Sequence, residues 1–255
     1  MQIGQETVAA VTGGASGLGG AVARMLAGQG ARVAILDMDA GKGQAMAEET
    51  GGLFHQTDVS DPESVSAALD AVEAGLDTPR VCVNCAGIGP AAKTVSKGAP
   101  HDAALFAKVI AVNQLGTFHT ASQAAARMAA LEPAGDDGER GVIVNTASVA
   151  AYEGQIGQVA YAASKGGVVG MTLPMARDLS GLGIRVCTIA PGLFRTPLLE
   201  GLPQEVQDSL GAQVPFPSRL GAPEEFAQLA RHIVENRMLN GEVIRLDGAI
   251  RMAPR

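Results

Sequence analysis

The sequence contains no tryptophan, and aromatic residues make up only 3% of its 255 positions. A large core must therefore be built from Val, Ile, Leu, Ala and Met, the side chains typical of parallel sheets covered by helices. Basic residues are not in excess either, because 19 Lys and Arg stand against 26 Asp and Glu and the formal net charge is −7. No basic tract offsets repulsion from phosphates, so we expect no nucleic-acid partner.

Long apolar runs and leader-like segments are also missing. No stretch of about 18 apolar residues without charges occurs, which predicts that no segment spans a membrane. The first predicted strand begins by Thr7, so we expect no signal peptide or Arg-rich presequence before it. These absences favour a cytoplasmic protein with no membrane partner.

Cysteine is scarce, and the three residues do not predict a metal site. Cys82 and Cys85 form a CxxC motif, but they lie in and just beyond an apolar run in which positions three apart point to opposite faces of a strand. There is no second CxxC motif and no nearby pair of histidines to complete a zinc site. We predict that both, and Cys187, are buried or semi-buried thiols.

What the chain has is a regular alternation of apolar runs and segments with helical periodicity. Such alternation implies right-handed βαβ units and a parallel sheet. We predict an α/β fold in which residues 1–255 form a single Rossmann-type doubly wound domain, with a seven-stranded, mostly parallel sheet and helices on both faces. Helices are predicted at 17–29, 40–50, 61–75, 102–131, 157–180 and 223–236. The predicted strands are Thr7 to Val11, Arg32 to Leu36, Leu53 to Gln56, Arg80 to Asn84, Gly141 to Thr146, Ile184 to Ile189 and Glu242 to Leu246.

The segment 191–221 breaks this alternation, because it is long, contains five prolines and has weak periodicity. Long irregular insertions in compact domains tend to be lids or binding loops, so we predict a substrate loop here. Two arginines, Arg195 and Arg219, lie at its margins. Its apolar side chains, where an acyl chain has room to lie, are Leu193, Phe194, Leu198, Leu199 and Leu202.

A glycine-rich turn follows the first predicted strand and leads directly into a helix. Its glycines permit a tight turn and a close approach of the backbone to a pyrophosphate, which then lies at the positive end of the helix. Asp37 ends the second strand 24 positions after Gly13 and is expected to accept hydrogen bonds from ribose hydroxyls. A carboxylate there repels the extra phosphate of NADP, and no Lys or Arg occurs at 13–19 or 38–41. We therefore predict NAD as cofactor; the ordinary alternative for Asp37 is a turn residue at a strand end.

Four polar residues form a candidate catalytic set. Tyr161 and Lys165 are four residues apart on a predicted helix and so share one face; a nearby ammonium lowers the pKa of a phenol. Ser148 follows the fifth strand at the carboxyl edge of the sheet, where it is positioned to hold a substrate oxygen. Asn113 lies in an apolar helical run, and a water chain to Lys165 is expected to satisfy its amide. Taken singly, each residue also has an ordinary interpretation. Tyr161 fits an aromatic on a helix surface and Lys165 a solvated charge, whereas Ser148 fits a helix cap and Asn113 a core amide.

Together these motifs resemble the short-chain dehydrogenase/reductase family over nearly the whole chain. The resemblance implies a homotetramer or dimer paired through the helices near 102–131 and 157–180. It also implies that Asp58 and Val59 contact the adenine, and that Asn84, Ala86 and Gly87 pack against the adenosine. The implied nicotinamide-end contacts are Pro191, Gly192, Leu193, Phe194 and Thr196, and the implied pyrophosphate cradle is Gly13, Ser16, Gly17, Leu18 and Gly19.

Within that family, residues 145–179, 189–199, 214–221 and 239–252 resemble the type-2 3-hydroxyacyl-CoA dehydrogenases. That resemblance implies NAD-dependent oxidation of a 3-hydroxyacyl-CoA, and it implies that Gln155 and Gln158 border the substrate pocket. The chain departs from the wider family at Cys85, where Asn is usual, and at Arg195, where glycine is expected. Three alternatives stay open: an NADPH-dependent 3-oxoacyl thioester reductase, a hydroxysteroid or other secondary-alcohol dehydrogenase, and a non-catalytic scaffold subunit.

Overall fold

Seven parallel strands form the central sheet of the computed structural model, which describes residues 1–201 and 203–254, apart from the side chains of Leu198 and Glu200. The sheet order is β3-β2-β1-β4-β7-β8-β9, and every neighbouring pair is parallel. The strands are β1 Val8–Thr12, β2 Arg32–Asp37, β3 Leu53–Gln56, β4 Val81–Asn84, β5 Val95–Ser96, β6 Ala99–Pro100, β7 Gly141–Thr146, β8 Ile184–Pro191 and β9 Val243–Leu246. The strand order reverses between β1 and β4, so the crevice beyond the carboxyl ends of these strands is the expected ligand site.

Helices connect the strands and cover both faces of the sheet. The α-helices are α1 Gly17–Gly28, α2 Ala40–Thr50, α3 Pro62–Gly75, α4 Ala103–Ile110, α5 Gly116–Ala129, α6 Val159–Ser180, α7 Pro197–Glu200, α8 Gln204–Gly211 and α9 Pro223–Glu235. Successive side chains along each strand point to opposite faces of the sheet, so they contribute to two separate cores. On one face Val11 and Ile35 pack with Phe226 of α9, and on the other Ala10 packs with Met128 of α5. The predicted Rossmann-type α/β fold is confirmed.

The three cysteines lie where the strand periodicity predicts. Cys82 is buried in the core on the α5 side of the sheet, whereas the half-buried Cys85 and the buried Cys187 pack against the opposite core. All three are free thiols. Within residues 1–201 and 203–254, no group of three or more His, Cys, Asp or Glu is arranged to hold a metal ion.

The structure departs from the predicted elements at three places, of which two precede β7 and the third is the segment 191–221. The helix predicted at 102–131 is divided, because a π-helical turn at Ala111–Leu115 separates α4 from α5. A short hairpin, β5–β6, was not predicted; Lys97 and Gly98 form its turn with positive φ angles of 50° and 79°, the conformation of a two-residue type I′ turn. Across the described helices, none is long and apolar enough to cross a membrane.

The prediction that 191–221 is irregular is wrong, because α7 and α8 lie within it. Pro197 is the first residue of α7, and Pro203 is the N-cap of α8. Proline fits the first turn of a helix because the missing N–H has no intrahelical partner there. These prolines therefore mark helix starts, and helices of four and eight residues are too short to show a clear apolar period.

Candidate active site

The glycine-rich turn between β1 and α1 forms a close-packed cradle. A Cβ at Gly13 would lie 2.7 Å from the Ala86 nitrogen, and a Cβ at Gly19 would lie 2.2 Å from the Gly13 carbonyl oxygen. Ser16 is the N-cap of α1, but its side chain makes no capping hydrogen bond. Half-buried Leu18 follows Gly17, which has a φ of 54°. A cradle in which Gly13, Gly17 and Gly19 lack side chains, at the start of a helix, fits the pyrophosphate of a dinucleotide.

Asp37 is tied directly to this cradle. Its Oδ2 accepts a hydrogen bond from the Ala15 nitrogen at 3.1 Å, and its Oδ1 accepts one from the Asp39 nitrogen at 3.0 Å. The carboxylate is half-buried at the end of β2 and makes the hydrogen bonds of a turn residue. Its role as an acceptor for ribose hydroxyls stays a prediction.

A buried polar row connects β1, β4 and β7 beneath the cradle. The Thr12 hydroxyl donates to Asn84 Oδ1 at 3.4 Å, and Asn84 Nδ2 donates to Asn145 Oδ1 at 2.9 Å. The Ala86 nitrogen in turn donates to Thr12 Oγ1 at 3.3 Å. This row holds the segment from Asn84 to Gly87 against the glycine-rich turn; neither Thr12 nor Asn145 was singled out from the sequence.

The other residues predicted to contact the adenosine half lie beyond β3. The Asp58 Oδ1 atom accepts hydrogen bonds from the backbone nitrogen and the hydroxyl of Ser60, at 2.9 and 2.6 Å. The buried Val59 packs against Gly116 at the start of α5, where a Cβ would lie 2.6 Å from Val59 Cγ2. The carboxyl end of β3 thus completes the same edge of the sheet.

The loop after β8 reaches over the glycine-rich turn. A Cβ at Gly17 would lie 3.3 Å from Pro197 Cδ and 3.8 Å from Thr196 Cγ2. Pro191 ends β8, and the Gly192 nitrogen donates to the Leu246 carbonyl at 2.9 Å. The predicted nicotinamide-end segment and the predicted pyrophosphate cradle therefore adjoin.

That an acyl chain lies against Phe194 stays a prediction; Phe194 lines a small cavity of about 90 Å³ with Leu193, Val214 and Leu246. Its side chain is 6% exposed and packs edge-on against Phe226, with ring centroids 6.5 Å apart. Leu193 and Leu199 are half-buried. Leu202 lies outside the described residues, as does the side chain of Leu198.

Ser148 and Tyr161 lie together at the carboxyl end of β7. Ser148 begins a short 3₁₀ turn, Val149–Ala151, and its hydroxyl oxygen accepts a hydrogen bond from the Ala150 nitrogen at 3.1 Å. Burial raises the pKa of Tyr161 above its ordinary value, while a hydrogen bond with Ser148 acts in the opposite direction. The serine therefore reaches the phenol from a neighbouring element of the fold.

Lys165 occupies the buried space behind Tyr161. Its Nζ donates to the Thr146 carbonyl oxygen at 2.7 Å and lies 5.8 Å from the centre of the Tyr161 ring. Burial lowers the pKa of Lys165 to about 8. Burial is the larger influence on the Tyr161 pKa, and a lowering of that pKa by the Lys165 ammonium stays a prediction. Burial also raises the pKa of the neighbouring Cys85 thiol to about 11.

Asn113 lies in the π-helical turn and is fully buried. Its Nδ2 donates to the Ile88 carbonyl at 2.8 Å and to Ser164 Oγ at 3.0 Å, and its Oδ1 accepts from the Ile88 nitrogen at 2.8 Å. Protein groups therefore supply partners for its side-chain amide, and the water chain to Lys165 stays a prediction. Ser164 also donates to the Tyr161 carbonyl at 2.7 Å. Sequence reasoning missed Ser164, although a polar residue three positions after Tyr161 on the same helix is a usable signal.

A cavity of about 440 Å³ opens where the loop between Ser148 and Tyr161 leads into α6. Its walls are the loop 154–159, Ala162 and the segment 93–95. Gln155 and Gln158, the predicted substrate residues, both line it. The Gln155 nitrogen donates to Gln158 Oε1 at 3.0 Å. The exposed Lys93 at the cavity wall was not predicted from the sequence.

The two arginines at the margins of 191–221 differ in their surroundings. Arg219 forms a two-point ion pair with Glu225, at 2.8 and 2.9 Å. This pairing matches the Arg219 charge within the chain. The exposed Arg195 is held by its backbone nitrogen, which donates to the Gly221 carbonyl at 2.8 Å.

Known proteins resemble this chain over its full length. A protein from Homo sapiens described as "3-hydroxyacyl-CoA dehydrogenase type-2" is 55% identical over 251 residues, which cover 97% of this chain and 96% of the human protein. Its Drosophila melanogaster counterpart is 53% identical over 254 residues, covering 98% of this chain and 99% of that protein. The crystal structure of 3-hydroxyacyl-CoA dehydrogenase type-2 from Mycobacterium avium superimposes with a TM-score of 0.94 at 46% identity, and the match covers 100% of both chains.

The family model described as short chain dehydrogenase matches residues 7–207. The match contains the glycine-rich cradle, the Ser148–Tyr161–Lys165 group and the loop after β8, and it confirms the resemblance seen in the sequence. The cradle also fits the nicotinamide dinucleotide on which this family relies. The chain therefore belongs to the short-chain dehydrogenase/reductase family and is an oxidoreductase that acts on a CH–OH group.

Proposed function

We propose that this protein is an NAD-dependent 3-hydroxyacyl-CoA dehydrogenase, which interconverts 3-hydroxyacyl-CoA and 3-oxoacyl-CoA. The observation that carries the proposal is the hydrogen bond between Ser148 and Tyr161, with Lys165 behind the phenol. These residues stand at the two ends of the loop whose residues 154–159 line a cavity of about 440 Å³. Full-length relatives with this printed activity add support. The proposed catalytic residues are Ser148, Tyr161 and Lys165, with Asn113 as a supporting residue.

The proposed chemistry divides between the chain and its cofactor. In the oxidising direction, Ser148 donates a hydrogen bond to the substrate oxygen and the Tyr161 phenolate accepts the hydroxyl proton. The bound cofactor supplies the acceptor for the hydride that leaves the same carbon. Lys165 places a cation behind the phenol and favours the phenolate. Asn113 and Ser164 hold the Tyr161 backbone in place through their hydrogen bonds.

We propose NAD rather than NADP because a carboxylate, Asp37, stands at the end of β2 next to the cradle. The 2′-phosphate of NADP would meet this negative charge, and residues 38–41 contain no Lys or Arg to offset it. The proposed contacts with the cofactor are Gly13, Ser16, Gly17, Leu18, Gly19, Asp37, Asp58, Val59, Asn84, Ala86, Gly87, Tyr161, Lys165, Pro191, Gly192, Leu193, Phe194 and Thr196.

The proposed substrate contacts are Ser148, Gln155, Gln158 and Tyr161. An acyl-CoA joins an apolar tail to a polyanionic head, and the cavity has apolar side chains and one cation, Lys93, in its walls. Lys93 lines the cavity, and Arg195 is exposed on the loop that covers the glycine-rich turn. We assign the coenzyme A phosphates to Arg195, because Arg219 is already paired with Glu225.

Initial rates across a substrate panel test this proposal. Acetoacetyl-CoA with NADH, and 3-hydroxybutyryl-CoA with NAD, are expected to give a higher kcat/KM than any steroid, free secondary alcohol or acyl-carrier-protein thioester with either cofactor. Arg195→Gln is expected to raise KM for the CoA ester but not for a CoA-free analogue. Arg177→Gln, an equal loss of charge on the exposed face of α6, is the matched control. A higher kcat/KM for a steroid, a simple alcohol or an NADPH-dependent reduction contradicts the acyl-CoA assignment.

We further propose that the protein is a cytoplasmic homotetramer in which residues 1–255 form one domain. Pairing is supported by exposed apolar side chains on α5, on α6 and in the π-helical turn before α5, namely Phe118, Leu173 and Leu115. A single domain is supported by the one sheet that both cores share. Sedimentation analysis, a single cooperative unfolding transition and cell fractionation test the three parts separately.

A further inference from the structure

Four charged side chains form a cluster behind the loop that separates Ser148 from Tyr161. Arg245 makes a two-point ion pair with Glu153, at 2.7 and 3.1 Å, and its Nε lies 2.7 Å from Asp247 Oδ2. Arg251 contacts the same two carboxylates, at 3.4 Å from Glu153 and 3.2 Å from Asp247. We call Glu153, Arg245, Asp247 and Arg251 the charged clamp. Its two cations and two anions balance, and the central pair is only 21–23% exposed.

The charged clamp joins the loop 152–158 to the segment 249–254. The Met252 nitrogen donates to Glu153 Oε2 at 3.0 Å, and Arg245 Nη2 donates to the Ile250 carbonyl at 3.0 Å. Two further hydrogen bonds extend the junction along the loop. Gln155 Nε2 donates to the Ala253 carbonyl, and the Ile156 nitrogen donates to the Pro254 carbonyl, both at 3.0 Å. The segment therefore supports the loop from its outer side.

The supported loop is also a wall of the proposed substrate cavity. Residues 154–159 line the cavity, including Gln155 and Gln158. The opposite side of the loop is held by the Ala92 nitrogen, which donates to the Gly157 carbonyl at 2.8 Å. The loop thus lies between two supports, of which one depends on the charged clamp.

We propose that the charged clamp is a positioning device that limits the length of the acyl chain accepted by the cavity, with Glu153 as its central residue. This inference rests on the proposed function. When Glu153 loses its charge, the outer support of the loop weakens, because Arg245 and Arg251 each keep Asp247 but lose the anion that the loop itself supplies. The wall of the cavity then yields to a longer chain, while Ser148 and Tyr161, on β7 and α6, keep their places.

The test compares Glu153→Gln with Glu49→Gln, which removes the anion of another two-point ion pair, with Arg24 between α1 and α2. kcat and KM are measured with four-carbon and eight-carbon 3-hydroxyacyl-CoA. In Glu153→Gln, the eight-carbon to four-carbon ratio of kcat/KM is expected to rise about fivefold through KM, the size of effect that follows from losing one partly buried ion pair. Glu49→Gln is expected to leave the ratio unchanged. Partial unfolding lowers kcat/KM equally for the four-carbon and the eight-carbon substrate, so it does not alter the ratio between them.

A ratio within about twofold of the wild-type value in Glu153→Gln overturns the proposal, since that change is under 0.5 kcal/mol. Arg251→Gln is expected to shift the ratio in the same direction by a smaller amount, because Arg251 is 63% exposed. If the wild-type protein turns over no acyl-CoA, the proposed function fails and amide hydrogen exchange decides the positioning role. Faster exchange at 153–158 in Glu153→Gln than in Glu49→Gln then supports the charged clamp, and equal exchange overturns it.

Discussion

Replacing Lys165 with Met is expected to stabilise the protein while it abolishes turnover. Lys165 is 4% exposed, and its Nζ reaches the Thr146 carbonyl, so the side chain is a cation held inside the fold. Methionine has a similar length and no charge. The substitution therefore removes the cost of burying an ammonium without opening a large cavity.

The expected magnitude follows from the pKa of the buried amine. Burial lowers the Lys165 pKa from 10.5 to about 8, which corresponds to about 3 kcal/mol of unfavourable free energy when the amine is charged. The variant leaves the Thr146 carbonyl without its donor, a loss of about 1 kcal/mol. The net gain of about 2 kcal/mol corresponds to a rise in Tm of about 4–8 °C for a chain of this size.

The sign of the pH dependence gives a second readout. The folded-state pKa lies below the unfolded-state pKa, so the folded protein binds fewer protons between about pH 8 and 10.5. The wild-type protein therefore carries the full cost below pH 8, regains stability as the pH rises, and carries none above 10.5. We expect the advantage of Lys165→Met at pH 7 to disappear near pH 10.

Thermal unfolding of cofactor-free protein measures this effect, since a bound cofactor would stabilise the wild type by mass action. Lys108→Met is the control, because Lys108 is exposed on α4 and carries no burial cost. A Lys165→Met protein that is no more stable than wild type at pH 7, or whose advantage is the same at pH 10, refutes the reasoning.

Four further predictions concern turnover and the cofactor. Tyr161→Phe is expected to lower kcat by about 10²–10⁴ with NADH affinity, followed by fluorescence, unchanged; near-normal turnover contradicts the proton path. Ser148→Ala is expected to move the pH profile of oxidation to higher pH, because it removes the hydrogen bond that opposes the raised pKa of Tyr161; an unmoved profile argues against that contact. Asp37→Ala is expected to narrow the preference for NAD over NADP mainly by raising KM for NAD, and equal use of both cofactors by wild type would show that Asp37 is misassigned. Gly19→Ala is expected to abolish NADH binding, because the new Cβ would lie 2.2 Å from the Gly13 carbonyl oxygen; retained binding contradicts the cradle.

The sequence by itself determined the sheet, most helices and the region of the site, because these depend on local periodicity. Alternating apolar runs predict strands, and Tyr161 and Lys165 share a helix face because they are four residues apart. The same holds for the glycine-rich turn, whose geometry is set within a few residues. Ser148 and Asp37 lie at the predicted edge of the sheet because the carboxyl ends of parallel strands meet there.

Only the tertiary structure decided which groups become partners. In the folded chain Arg219 forms an ion pair with Glu225, and the Phe194 ring packs against Phe226 in the core. The Asn113 side-chain amide hydrogen-bonds with Ile88 and Ser164, and Glu153 forms an ion pair with Arg245, 92 positions later. It also showed that burial dominates the pKa of Tyr161. Such contacts depend on how helices and loops pack after the chain has folded, and desolvation depends on everything that surrounds a group. Neither these contacts nor the desolvation of a group can be predicted from the spacing of residues along the chain.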